Sequence, residues 1–469
     1  MLTTWGLGCS INSTLKEVII MIVKISVENF KSFDQLVELN MISSSKIRSH
    51  QNHRIKIKQT RLLRNAVVYG ANAAGKSNLV QLVAFIKWTV QNGLPSNAFN
   101  LFCRNRRENE KKDSFFEIQF TVNDKFYAYG FTARLSELRI TSEWLYELKQ
   151  DGSAKRIYER DIEGAPVIES SLSMTQSEKN KFKVYSEDYD CNGDTLFLTE
   201  MNRKKKYPRN SKLRFFSDIY NWIQNNIVVL SPNTKLTNFE YYYDVTTLDK
   251  VNKLLSSFDT GISEVTIKDL DLDEFENMIP KQVFVQVIAD IKRHLEKNEK
   301  VSLSMRSDDA FFNIVAYKTE DPKISTICLK HGTSLFDFEF KDESDGTRRI
   351  FDLMDMILSK KADTVYVVDE LERSLHPKLT AHFLELFMQA HADNRVQLIF
   401  STHEDTIMDL ELFRRDEIWF VERDKDNASK IYSLDMFKER YDTKLSKAYL
   451  EGRYGAIPVF RQFTFQKGE

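Results

Sequence analysis

Asn65-Ala66-Val67-Val68-Tyr69-Gly70-Ala71-Asn72-Ala73-Ala74-Gly75-Lys76-Ser77 runs from an unbroken apolar segment into a turn bounded by two glycines. Hydrophobicity without alternation over 65–69 suits a strand buried on both faces. The next eight residues keep the spacing Gly-x4-Gly-Lys-Ser, and Asn78, Leu79, Val80, Leu82 and Val83 begin an amphipathic helical pattern. In this setting the main-chain N–H groups of a loop turn toward a polyphosphate at a helix N-terminus. Gly70, Asn72, Ala73, Ala74, Gly75 and Asn78 are therefore candidate nucleotide-binding positions. Lys76 is expected to meet the β- and γ-phosphates, and the Ser77 hydroxyl to ligate Mg²⁺. An ordinary Gly-rich turn is the bland alternative, and the strand–turn–helix context argues against it.

Thr364-Val365-Tyr366-Val367-Val368-Asp369-Glu370 is an apolar strand ending in two carboxylates. Beside a P-loop the two acids are expected to do different work: Asp369 would hold the Mg²⁺ shell and Glu370 would act as general base on the attacking water. Three further segments accompany this pair: Glu372-Arg373-Ser374-Leu375-His376-Pro377, Leu398-Ile399-Phe400-Ser401-Thr402-His403, and, upstream, Glu343-Ser344-Asp345-Gly346-Thr347-Arg348-Arg349 opening an amphipathic helix.

With the opening Ile25-Ser26-Val27-Glu28-Asn29-Phe30-Lys31-Ser32-Phe33, these segments resemble the ABC-type ATPase heads of the SMC and RecF group. The resemblance is closest to bacterial ATPases of the overcoming-lysogenisation-defect (OLD) type, often labelled AAA ATPases. Tyr449-Leu450-Glu451-Gly452-Arg453-Tyr454-Gly455-Ala456-Ile457-Pro458 is similar to the C-terminal motif of small stand-alone members. The likeness covers both ends, about 22 to 145 and 340 to 460, and matches the middle poorly. It implies an α/β fold: a P-loop NTPase of the ABC-head kind, with a mixed sheet and flanking helices, an N-terminal antiparallel meander and a helical insertion lobe. It also implies ATP and Mg²⁺ as cofactors and a homodimer or higher homo-oligomer that sandwiches ATP. Ser344 and Gly346 would then reach the γ-phosphate of the opposite subunit, 374–377 would form the D-loop, and His403 would be the switch histidine. The helix start at Ser344 is equally a plain capped turn, and a lone histidine after a strand is more often structural. No Q-loop glutamine is identified, since the flanks of Gln119 are uninformative. The roughly 270 residues from Lys76 to Ser344 are too few for SMC-type arms. The short tail leaves no room for the Toprim nuclease domain of full OLD nucleases, so a separate effector, a nuclease or toxin, is expected as partner.

Across 469 residues, 67 Lys+Arg against 68 Asp+Glu leave a formal charge of -1, so no global positive field draws the molecule onto nucleic acid. Local basic groups remain, Arg203-Lys204-Lys205-Lys206 and Arg104, Arg106, Arg107, Lys111 and Lys112; they support a RecF-like DNA clamp as the alternative function, although each is more often a solvated loop. A transporter subunit is disfavoured because the signature segment, Glu343 to Arg349, is not LSGGQ. Four dispersed cysteines without CxxC spacing indicate neither a zinc site nor a disulfide framework, and with no membrane-length apolar run the expected location is the cytoplasm. Residues 1–20 are expected to be an extension before a true start at Met21. The expected divisions are 21–149 with the P-loop and meander, 150–340 as insertion and variable lobe, and 341–469 with the signature, the Walker B element at 364–370, the D-loop and His403. Within them the pattern predicts a polar loop over 43–58, a meander over 115–148, an insertion over about 150 to 215, and helices near 213–229, 247–258, 281–298, 345–360 and 377–392.

Overall fold

The structure, a computed structural model, describes residues 20–161, 169–189, 193–232, 234, 240–243, 245–307, 309–359, 361–438 and 444–457. The expected N-terminal extension, apart from Ile20, and Pro458 lie outside them. The described chain forms two compact units: 20–232, 361–372 and 391–457 make the larger, 234–359 and 373–390 the smaller.

In chain order the larger unit contributes β1 (Ile20–Glu28), β2 (Val37–Asn40), β3 (Arg54–Ile57), β4 (Thr60–Leu63), β5 (Asn65–Tyr69), α1 (Lys76–Asn92), β6 (Ser114–Val122), β7 (Lys125–Arg134), β8 (Arg139–Leu148), β9 (Ala154–Asp161), β10 (Glu169–Ser170), α2 (Gln176–Glu187), α3 (Phe197–Glu200), α4 (Arg214–Asn225) and β11 (Ile227–Leu230). The smaller unit supplies α5 (Glu240–Tyr243), α6 (Val245–Ser256), β12 (Ile262–Leu270), α7 (Leu272–Met278), α8 (Lys281–Leu295), β13 (Lys300–Arg306), β14 (Phe311–Tyr317), β15 (Lys323–His331), β16 (Phe338–Glu339) and α9 (Asp345–Leu358). After β17 (Val365–Val368) in the larger unit and α10 (Pro377–Ala390) in the smaller, the chain ends in the larger with β18 (Gln397–Ser401), β19 (Ile418–Arg423), β20 (Ser429–Ser433) and α11 (Leu445–Leu450).

Two large sheets and the small β3-β4 hairpin build the larger unit. One is antiparallel, in the order β10-β9-β8-β7-β6-β1-β2; the other runs β11-β17-β18-β5-β19-β20 and is parallel except for β20. All residues of β5, β17 and β18 are buried, as a parallel sheet covered on both faces requires. Helix α1 belongs to a core shared with both sheets: Leu79, Val83 and Ile86 join Ile25, Phe116 and Phe120 of the antiparallel sheet and Val367 and Ile399 of the parallel one. Midway along α1, the Phe85 ring lies 5.2 Å from that of Phe30 and 5.0 Å from that of Phe116, which pins the helix against the antiparallel sheet. Together these features make the fold α/β.

Three segments fold differently from what their sequence pattern predicts. The polar stretch from 150 to 215 is not an insertion throughout, because β9 extends the meander with Leu145 opposite Tyr158, and Tyr158 is fully buried against Phe197 and Phe216. The helix near 213–229 stops at Asn225; the β-branched run Ile227-Val228-Val229 pairs in parallel with 365–367 instead, trading helix propensity for a sheet edge. The loop expected over 43–58 contains β3, which forms a hairpin with β4 and buries Ile55 and Ile57. In the smaller unit, β12-β15-β14-β13 form an antiparallel sheet with β16 on β15, and α8 covers it through Val287 and Ile291. Helix α9 is anchored by Phe351, which meets Phe340 at 5.3 Å and Tyr242 at 5.6 Å. Among the described residues no helix is long and apolar enough to cross a membrane.

Candidate nucleotide-binding site

Strands β5, β17 and β18 lie side by side in parallel, with Ser401 opposite Val68 and Phe400 opposite Val368, so their C-terminal ends form one edge. The loops that follow, from Gly70, Asp369 and Thr402, are neighbours for that reason. Crevices at this edge of a parallel sheet are where α/β proteins hold ligands.

Two glycines shape the first loop. A Cβ on Gly70 would lie 2.3 Å from the Val421 carbonyl oxygen, and Gly75 has φ +119 with a Cβ position 2.4 Å from Ser429 Oγ. Neither place admits a side chain. No side chain caps α1, and its first turn holds no acidic residue. This is the local chemistry an anion needs. Lys76 is 5 % exposed; its Nζ donates to the Gly70 carbonyl at 2.7 Å, the Ala71 carbonyl at 3.2 Å and His403 Nδ1 at 3.3 Å. Burial pulls the Lys76 ammonium down to about 8, against the opposing pull of Glu372, Asp369 and Glu370. Asn72 and Ala73 are exposed at the loop's tip, whereas Ala74 is buried and its carbonyl accepts from Ser429 Oγ at 2.5 Å. The Asn78 amide donates to Ser32 Oγ at 2.7 Å, and the Ser429 N–H donates to the Ser32 carbonyl at 2.7 Å. Ser32 lies within the opening motif, where its neighbours alone point to no function; nothing in the sequence singles out Ser429.

Asp369 is buried and its Oδ1 accepts from Ser77 Oγ at 3.2 Å and from Ser401 Oγ at 2.5 Å. Ser77 and Asp369 therefore present two hard oxygens together, a donor set that fits Mg²⁺ beside a phosphate. Glu370 adopts φ +49, a left-handed conformation uncommon outside glycine, with its N–H on Ser401 Oγ at 2.9 Å. Its carboxylate lies 3.7 Å from His403 Nε2, and the His403 N–H donates to Glu372 Oε1 at 2.7 Å. With Nδ1 taken by Lys76, the other ring nitrogen, Nε2, is the one that faces Glu370. Lys76, His403 and Glu370 thus form one row along the sheet edge. Ser401 and Glu372 stood in quoted motifs without a role; their contribution needs the register of β17 and β18.

Ser344 and Gly346 belong to the smaller unit. Ser344 caps α9, its Oγ accepting the Thr347 N–H at 3.1 Å, and a Cβ on Gly346 would approach the Ser374 carbonyl oxygen to 2.7 Å. The signature and the D-loop segment thus meet within this unit. Glu343, buried just before Ser344, takes His331 Nε2 at 2.6 Å and ties the helix start to β15. Gln119 bonds Glu117 on its own strand at 2.9 Å. In the C-terminal motif, Tyr449 and Tyr454 stack on Phe420 at 5.6 and 5.5 Å, and the Tyr454 carbonyl accepts from Tyr432 at 2.7 Å, so that motif covers β19.

Residues 66–171 and 203–409 match the model of the family described as "AAA domain, putative AbiEii toxin, Type IV TA system". The chain belongs to that family. No curated protein matches it. Among solved structures it is similar to an SMC head bound to the C-terminal winged-helix domain of ScpA, at 12% identity and TM-score 0.37 over 88% of this chain and 97% of that one. It is also similar to the SMC head domain of Thermotoga maritima, at 13% identity and TM-score 0.32 over 88% and 98%. Neither likeness bears on the strand order, which itself makes the fold α/β.

Proposed function

We propose that the protein is an ATP-binding, Mg²⁺-dependent ATP-hydrolysing switch of the OLD-like kind, the sensor or scaffold of a bacterial anti-phage or abortive-infection system acting with a separate effector. The row Lys76–His403–Glu370, flanked by the Ser77–Asp369 pair, is the observation that carries this reading. The leading amides of α1 and Lys76 would hold the β- and γ-phosphates, Lys76 giving up its bonds to the loop carbonyls as it does so. Ser77 and Asp369 would hold Mg²⁺, which when bound offsets phosphate charge. Glu370 would take a proton from the attacking water, and His403, whose Nε2 lies 3.7 Å from the Glu370 carboxylate, would report occupancy of the γ-position along β18. Ser344 and Gly346 would complete the site from a second protomer, making the assembled state a homodimer or higher homo-oligomer that opens on hydrolysis. The family's description names a toxin of a type IV toxin–antitoxin system, which supports a conditional role with a separately encoded partner.

Lys76→Ala is expected to abolish ATP binding or turnover, and Glu370→Gln to keep binding while turnover falls at least about 100-fold. ATPase rates in either variant equal to wild type would refute the assignment. Size-exclusion chromatography of Glu370→Gln with ATP should show an enlarged species. Exposed Arg104, Arg107, Lys111 and Lys112 favour a second reading, a DNA-binding ATPase. Salt-dependent binding to duplex DNA that changes with ATP would select it.

A further inference from the structure

Ser401 ends β18 and is 1% exposed. Three consecutive residues leaving β17 hang on it. Its hydroxyl donates to Asp369 Oδ1 at 2.5 Å and accepts the Glu370 N–H at 2.9 Å, and its main-chain carbonyl accepts the Leu371 N–H at 3.1 Å. Two residues further on is His403, and the intervening Thr402 N–H donates to the Val68 carbonyl on β5 at 3.1 Å. One buried side chain thus joins both acids to the end of β18, just before the histidine, and the next main-chain N–H ties that end to β5, the P-loop strand.

We propose that Ser401 is the positioning residue of this site: it holds the Glu370 backbone in its left-handed turn and fixes the Asp369 carboxylate, so that the histidine strand and the two acids move as one piece. This rests on the ATPase reading above. A hydroxyl has one proton and two lone pairs, and here both kinds are used in the directions the two acids need. The bond to Asp369 is charge-assisted and the shorter of the two that its Oδ1 accepts. When Ser77 turns to a metal ion, the Ser401 bond remains and Asp369 keeps its orientation. Without the Glu370 bond, relaxing φ from +49 would swing the carboxylate away from His403.

Wild type, Ser401→Ala, Ser401→Thr and Glu370→Gln decide this through four readings: metal-free binding of a fluorescent ATP analogue, kcat and KM for ATP, the Mg²⁺ concentration at half-maximal turnover, and hydrogen exchange of the Glu370 amide in the free protein. Ser401→Ala should bind the analogue within about twofold of wild type and lose about 10- to 100-fold in kcat at similar KM. It should need several-fold more Mg²⁺, and its Glu370 amide should exchange roughly tenfold faster. Ser401→Thr keeps the hydroxyl and should recover kcat to within about threefold. Should the added methyl unfold that variant, Ser401→Ala decides alone. Turnover in Ser401→Ala within about twofold of wild type, while Glu370→Gln is inactive, overturns the role of Ser401 and leaves the ATPase reading standing. Parallel loss of analogue binding and kcat with unchanged Glu370 exchange also overturns it, as a packing defect. Equal turnover in wild type and Glu370→Gln overturns both.

Discussion

Lys76 is the residue whose chemistry changes most between an empty and a filled loop. Buried and tied to two carbonyls, its ammonium titrates at about 8 in place of 10.5. From pH 8 to 10.5 the unfolded chain therefore carries more of this proton than the folded one. The burial cost is fully present below 8, and this group's contribution to stability rises with pH across the window. A polyphosphate reverses the environment and raises the pKa again, so ATP binding should take up protons. Calorimetry in buffers of different ionisation enthalpy should find uptake of about half a proton per site at pH 8, rising toward one near pH 9. Uptake that does not change with pH would show that Lys76 does not face the phosphates.

Helix α9 shows how an element can be held by a group that titrates. Asp355 on its buried face accepts from Tyr241 at 2.8 Å, and Arg306 pairs with Asp352 nearby. Desolvation pushes the Asp355 carboxyl up to about 7, against the Tyr241 bond and Arg306. The folded state then holds a proton that the unfolded chain has released between pH 4 and 7, so stability falls as pH rises through that range and the penalty is complete above 7. Asparagine keeps an acceptor for Tyr241 without the charge. Asp355→Asn should flatten the dependence, with a gain relative to wild type on the order of 3 kcal/mol larger at pH 8 than at pH 5. Denaturant unfolding at the two pH values measures it, and parallel changes in both proteins would contradict it. At the front of the same helix, Ser344→Ala removes the cap of the Thr347 amide and should cost about 1 kcal/mol by the same measurement.

At the scale of the whole molecule, Lys76 and Glu370 lie in one compact unit and Ser344 and Gly346 in the other. Under the proposed sandwich, a mixture of Lys76→Ala and Ser344→Arg, each inactive alone, contains heterodimers with one intact composite site. ATPase activity should partly return on mixing, with heterodimers verified by tagged pull-down; heterodimers without activity would argue against a shared site. Much of this arrangement is readable along the chain. Gly70, Gly75 and Lys76 announce a P-loop because a phosphate-turning backbone tolerates few residue types, and the apolar runs at 65–69 and 365–368 announce buried parallel strands. Local rules fail where a partner decides: Ile227-Val228-Val229 continues a helical pattern until the edge of β17 is there to pair with it, and the polar 154–161 becomes a strand because β8 offers a free edge. Ser401, Ser429 and Glu372 are ordinary residues in sequence. Ser401 and Glu372 enter the site because the register of the parallel strands brings the ends of β17 and β18 to one edge, and Ser429 because antiparallel β20 pairs back along β19; register is set by packing between segments far apart in the chain.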